Sequence, residues 1–383
     1  MHVSIMDPGL ANRIGHHFDQ DFRIARALRG QGHDVEVCGA AHASQELVDA
    51  FAALGVPLHG TFRAGAYHRL VPGEDSWDHW QQRAAVTAED LARLAPTDVA
   101  FWPTLQPFHF LAMVRFPHGS HIVGGLDGQI NFSTPLGAEL LASGRDMAQS
   151  LASRLELGTY DRIIAEAYRP ILDGLAVRRL PVPYDGHPAP AAEQVRRIGF
   201  FGHQRGERGG NLIPEIAAAL LQRGLKLTLQ DSSARLKMKR THPDVAVLGF
   251  VDDFSRELAA CDLIVWPSDP QYYAARSSGV VWEAIASGRP VVVPSLCLPA
   301  QIAFQAGAAT FFHQPTARSV LRGIDEAIAN YPALARRAGE QARRWQATEG
   351  TARLAAALVS GKLADWGWSR NPGSATSSGW HGS

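Results

Sequence analysis

Cys261-Asp262-Leu263-Ile264-Val265-Trp266-Pro267-Ser268 runs through a short loop into Ser277-Ser278-Gly279-Val280-Val281-Trp282-Glu283-Ala284-Ile285-Ala286. Past Ser287-Gly288-Arg289 it ends in Pro290-Val291-Val292-Val293-Pro294. An apolar run of four residues stopped by proline is a strand. The segment after Ser278 carries apolar residues all round, and Gly288 and Pro290 close it, as expected of a buried helix. Pro290 to Pro294 is a second apolar run, so the whole stretch reads as one strand–helix–strand unit of a parallel sheet.

The same alternation extends in both directions. Strands are expected at Arg196 to Phe201, Lys226 to Gln230 and Val245 to Leu248, with a helix over Ile213 to Gln222. Upstream, strands are expected at His2 to Met6, Asp34 to Cys38, Asp98 to Trp102, Ser120 to Gly124 and Arg162 to Ala165. Between the first two, Phe18, Phe22, Ala25 and Leu28 stand at helical spacing and Gly30 and Gly32 end the helix. Pro181 to Ala192 is too rich in proline for regular structure and reads as a hinge linker. The expected fold class is therefore α/β, with two Rossmann-like domains whose parallel sheets face each other across a cleft. An amino-terminal domain spans 1–185 and a carboxyl-terminal one 195–350, with a final helix over 351–366 and a Gly- and Ser-rich flexible tail over 367–383.

Composition excludes several classes. With 383 residues, 46% hydrophobic and 19% charged, the chain is large enough for two cores and is not a disordered polymer. No apolar run reaches the length of a membrane helix and Met1 to Ile5 lacks a signal-peptide pattern, so a cytoplasmic protein without a transmembrane segment is expected. Cys38, Cys261 and Cys297 read as reduced core thiols. The net charge of zero argues against nucleic-acid binding. It conceals a division: residues 1–190 hold 15 Arg against 21 acids, and residues 191–383 hold 22 Lys and Arg against 16 acids. The second half is the better host for an anion.

Neither the dinucleotide pattern G-x-G-x-x-G nor the phosphate-loop pattern G-x(4)-G-K-[ST] follows either first strand. Instead, Gly199-Phe200-Phe201-Gly202-His203-Gln204-Arg205-Gly206-Glu207-Arg208-Gly209-Gly210-Asn211 runs from strand to helix. Glycines there let the backbone approach a diphosphate, which Arg205 and Arg208 would neutralise. Ser277, Ser278, Gly279 and Val280 would present the unpaired N–H groups of a helix start to the same ligand.

These two segments resemble the donor-site blocks of GT-B fold glycosyltransferases with a family-four, group 1 type carboxyl domain. In that group a strand ending in Pro-Ser leads to a helix carrying a Glu and then to a Pro-Val-Val strand. Phe201-Gly202 and Glu207-Arg208-Gly209 are in register with the group's Phe-Gly-Arg loop ending in Glu-Lys-Gly. Gly15-His16-His17 through Val35 is similar to its amino-terminal Gly-His helix and the strand after it, so the resemblance covers most of residues 1 to 350. It implies a bacterial, metal-independent hexosyltransferase-like enzyme without a cofactor, which moves a sugar with retention from a nucleotide sugar to a glycan, lipid-linked or small-molecule acceptor. Contact with a membrane surface stays open. Glu283 would accept hydrogen bonds from the ribose, with Gly202, His203 and Arg276 also on the donor side. The chain departs from the pattern where the group's first Glu falls, at Ala275. His203 takes the place of its loop Arg and Arg208 that of its Lys.

On the acceptor side the expected contacts are Asn12, Gly15, His16 and His109 from loops at the sheet edge, although helix packing is the better reading of His109. Asp127, just beyond a strand, is the carboxylate expected to meet sugar or acceptor. Asp19-Gln20-Asp21 spells a metal-binding Asp-x-Asp. Its two acids point about 200° apart on a helix, however, and Asp19 can pair with Arg23, so no metal is expected there. A sugar-nucleotide epimerase of the same fold, a degenerate binder that keeps donor affinity, and a two-domain solute-binding protein are the rival readings.

Overall fold

The structure is a computed structural model that describes residues 1–13, 16–66, 76–126, 135–232, 234–236, 242–249, 251 and 253–366. Gly15, Asp127 and the expected tail lie outside the described residues. The first sheet comprises β1 (His2–Met6), β2 (Asp34–Ala40), β3 (Leu58–Phe62), β4 (Val99–Leu105), β5 (His121–Leu126), β6 (Leu155–Thr159) and β7 (Val177–Arg179). It runs in the order β3-β2-β1-β4-β5-β6-β7, and every pair is parallel. The second comprises β8 (Arg197–Phe200), β9 (Lys226–Gln230), β10 (Val245–Leu248), β11 (Leu263–Val265), β12 (Val291–Pro294) and β13 (Ala309–Phe312), in the order β10-β9-β8-β11-β12-β13, again parallel. Central strands such as β4 and β12 are buried along their whole length because helices cover both faces, hence their unbroken apolar sequences.

In the amino-terminal part the helices are α1 (His16–Gly30), α2 (Gln45–Ala52), α3 (Trp77–Leu91), α4 (Pro107–Arg115), α5 (Pro135–Ser150) and α6 (Arg162–Tyr168). The carboxyl-terminal part has α7 (Ile213–Gln222), α8 (Phe254–Ala259), α9 (Gly279–Ala286), α10 (Leu298–Ala306), α11 (Ala317–Ala329), α12 (Tyr331–Thr348) and α13 (Thr351–Ser360). In each sheet the strand order reverses beside the first strand, between β1 and β4 and between β8 and β11. The loops after those strands are where open α/β sheets take ligands.

Three expectations need correction. Arg162 to Ala165 is the first turn of α6 and not a strand. Asp161 caps it, its carboxylate accepting from the Ile163 N–H at 2.7 Å, and the strand before it is the alternating Leu155–Thr159. The segment Pro181 to Ala192 has no helix or strand, as expected, but it is no free tether. Val182 N–H donates to Glu349 at 2.8 Å, Trp345 Nε1 to the Tyr184 carbonyl at 2.6 Å, and the Thr351 N–H and hydroxyl to Asp185, both at 2.8 Å. Finally, the last helix, α13, stops at Ser360, where Gly361 takes a left-handed conformation, and not at 366; it returns to the first sheet, where Leu354, Ala355 and Leu358 join the core made by Ile24 and Leu28 of α1.

Candidate functional site

The loop after β8 is built around two glycines in left-handed conformation. Gly202 has φ +96°, and a methyl placed on it would meet Arg208 Nη1 at 3.1 Å and Val280 Cγ2 at 3.2 Å. The loop cation and the first turn of α9 thus converge on one glycine. Gly202 N–H donates to Gln230 Oε1 at 2.7 Å, which anchors the loop to the end of β9. Gly209, at φ +71°, closes the 3-10 turn Gly206–Arg208, and there a methyl would stand 2.0 Å from the Pro267 carbonyl oxygen. Only glycine lets the two loops pack this closely.

The loop after β8 carries an excess of positive charge. Among the described residues Arg208, half-buried, has no carboxylate within ion-pair distance, and Arg205 is 3.8 Å from Glu207. The His203 ring holds the Ser232 hydroxyl at 3.3 Å. Burial and then Arg205, Arg208 and Arg235 push its ionisation below the usual histidine value. Arg235 is a cation that the sequence reading missed. Ser278 is the N-cap of α9 with its hydroxyl off the helix, and among the described residues the N–H groups of Gly279, Val280 and Val281 have no hydrogen-bond partner. Arg276 is exposed beside them and Ser277 half-buried. Of the expected donor residues, Gly202, His203, Arg205, Arg208, Gly279 and Val280 therefore share one corner of the sheet edge.

Glu283, the expected ribose contact, is engaged within the protein. It is 1% exposed, with one oxygen accepting from Arg23 Nη2 at 3.0 Å and the other from the Ser255 hydroxyl. Arg23 comes from α1 across the cleft, steadied by Asp19 at 2.8 Å and lying 5.7 Å from the centre of the Tyr184 ring. Burial pushes the Glu283 carboxyl up to about 7 although Arg23 pulls it down. A ribose can reach this carboxylate only by displacing Arg23. No sequence pattern signals a pair 260 positions apart; Asp19–Arg23 alone was visible.

At the carboxyl end of β1 the structure assembles a second group. The His17 ring meets Asp7 at 2.6 Å, and the Gly9 N–H donates to Asp7 at 2.8 Å. Burial pulls Asp7 upward, but His17, Asp21 and Gly9 outweigh it and hold the carboxyl at about 2. Burial and the neighbouring Asp7 push Asp21 well above the usual range. Asp21 is fully buried, so it holds no exposed metal with Asp19, and among the described residues no cluster of three His, Cys, Asp or Glu has the arrangement of a metal site.

His16 is exposed at the start of α1, its ring 4.3 Å from that of His17, and Asn12 is exposed in the loop after β1. His109 cannot touch an acceptor: it is fully buried in α4, with Nε2 3.2 Å from the Ala64 carbonyl and its ring against Phe108. Burial lowers its ionisation to about 3. The three cysteines are free and buried, and no helix of the described residues is long and apolar enough to cross a membrane.

A family model described as "Glycosyl transferases group 1" matches residues 196–330, which hold the loop after β8 and the whole of α9. Among solved structures the chain is similar to a glycosyltransferase from Rickettsia africae ESF-5, with 13% identity, 94% of this chain and 97% of that one covered, and a TM-score of 0.64. It is similar also to Anabaena Alr3699/HepE, solved in complex with UDP and glucose, with 14% identity, 94% and 98% covered and a TM-score of 0.61. Likewise similar is the glycosyltransferase SnogD from Streptomyces nogalater, with 19% identity, 94% and 98% covered and a TM-score of 0.57. At these identities the likeness is one of fold. No curated protein matches the chain by sequence. Residues 196–330 thus match the group 1 glycosyl transferase model, and the chain that carries them has the two-sheet GT-B fold.

Proposed function

We propose that the protein transfers a sugar from a nucleoside-diphosphate donor, held at the loop after β8 and the start of α9, to an acceptor on the amino-terminal side. The observation that carries this is the convergence of half-buried Arg208 and the first turn of α9 on Gly202. In the reaction the bond between the anomeric carbon and the diphosphate oxygen breaks, and a bond from the acceptor hydroxyl oxygen forms as its proton leaves. The charge that develops on the leaving diphosphate falls on Arg208, Arg205 and the N–H groups of Gly279 to Val281, which stabilise it without a metal. Retention at the anomeric carbon carries over from the resemblance, with Ala275 where the group has its first Glu. Asp127 and Gly15 keep their proposed sugar and acceptor contacts.

Calorimetry with UDP, GDP, ADP and dTDP in EDTA tests the donor site. At least one is expected to bind; none binding would end the donor reading, and binding only after a divalent ion is added would end the metal-free part. Arg208→Ala is expected to weaken the diphosphate by roughly 1.5–3 kcal/mol, the scale of a hydrogen bond to a charged group, and to leave the nucleoside alone unaffected. Equal losses for both ligands would remove the phosphate role. Product analysis with the matching nucleotide sugar separates transfer from epimerisation and from binding without turnover.

A further inference from the structure

Between the two units, α6 on one side and α9, α10 and α12 on the other enclose a cavity of ≈ 440 Å³, within the roughly 300–1,000 Å³ of small-molecule sites. No residue of the loops after β8 and β11 lines it, so it is separate from the diphosphate corner. Its apolar wall is made by Trp282, Ile285, Ile302 and Trp345, the two indoles being 5.4 Å apart and tilted by 56°. Its charged groups already have partners. Arg162 bonds Glu166 at 2.9 Å, Arg179 pairs with Glu349, and Asp161 caps α6. What remains are the neutral amides of Gln301, Gln305 and Gln341 and the buried Trp366 Nε1, none of which has a hydrogen-bond partner among the described residues.

This lining selects a ligand class. Without a spare cation the cavity has nothing to hold a phosphate or carboxylate, and a plain hydrocarbon would strip water from three amides and return no hydrogen bond. A ring with an apolar C–H face and several hydroxyls satisfies both parts, the face on the indoles and the hydroxyls on the amides. Trp282 is also the neighbour of Glu283 on α9 and lies one turn from Gly279, so an occupant would rest on the helix that holds the donor.

We propose that this cavity binds a neutral saccharide, at a site apart from the diphosphate corner. The test is saturation-transfer NMR of the full chain without nucleotide, using the methyl α- and β-glycosides of glucose, galactose and mannose. At least one is expected to give a saturable signal. Gln305→Phe, a change at an exposed helix position that fills the cavity, is expected to weaken it tenfold or more with UDP, GDP, ADP and dTDP binding as in the wild type. Gln341→Ala, which removes an amide and adds no bulk, is expected to weaken it severalfold. Silence from all six glycosides in the wild type, or an undiminished signal in both variants, would overturn the saccharide site. Glycoside binding beside a failed nucleotide titration would overturn the donor reading and leave the saccharide site standing.

Discussion

Gly209→Ala is expected to lower nucleoside-diphosphate affinity at least about a hundredfold, or ~2.7 kcal/mol. The glycine is left-handed at φ +71°, which costs an alanine roughly 1–2 kcal/mol. Its methyl would stand 2.0 Å from the Pro267 carbonyl oxygen and 2.8 Å from the carbonyl carbon, backbone atoms that can yield only if the loop after β11 moves. Overpacking of that kind adds about 1–3 kcal/mol. The loop after β8 would have to shift as a unit, carrying Arg208 off Gly202 and away from the start of α9. Gly206→Ala is the control, because a methyl there meets nothing within 4 Å. Calorimetry of both variants decides the matter: if they bind alike, close packing of the two loops does not position the anion site.

The second large effect concerns pH. Buried beside Arg23, the Glu283 carboxyl ionises at about 7 in place of its ordinary 4.5. A proton is therefore held more tightly where the carboxyl is buried beside Arg23 than where it meets water or a ribose. Across the window from about 4.5 to 7 the paired arrangement binds more protons, so it gains on acidification and loses as pH rises. Nucleotide binding that uses the ionised carboxylate must expel that proton at pH 6 but not at pH 8, a penalty of about tenfold. Wild-type affinity for a nucleoside diphosphate should consequently rise about tenfold more between pH 6 and 8 than that of Glu283→Gln. Titration of the phosphate is common to both proteins and cancels in the ratio. Parallel pH profiles would mean that the nucleotide leaves the Arg23–Glu283 pair in place.

Much of this architecture could be read from sequence because parallel strands covered on both faces are short apolar runs, and the helices between them end at glycine or proline. Ile213 to Gln222, Lys226 to Gln230 and Val245 to Leu248 have the bounds expected of them. The two loops proposed to hold the donor stand out in the sequence for the same reason: glycine and arginine are scarce beside apolar strands unless the turn needs them. Leu155–Thr159 was missed because Glu156 interrupts its apolar pattern, and the next apolar residues, Ile163 and Ile164, belong to a helix whose cap is a single Asp. The groups that depend on distant parts of the chain were invisible. Arg23 with Glu283 and Ser255 joins α1 to α9 and α8, and the Asp7–His17–Asp21 group needs β1 and α1 folded together. His109 shows the converse, a histidine next to a loop edge that helix α4 turns into the core between Trp102 and Phe108.

The central claim is that a nucleoside diphosphate sits on the first turn of α9 and the loop after β8. Hydrogen–deuterium exchange of the full chain in EDTA, with and without the tightest of the four diphosphates, tests it most directly. The N–H groups of Gly279, Val280 and Val281 have no partner among the described residues to slow their exchange, and the diphosphate would supply one. The account predicts protection concentrated in peptides covering 279–281 and 202–210. Binding that protects other segments and leaves both of these unchanged would contradict it.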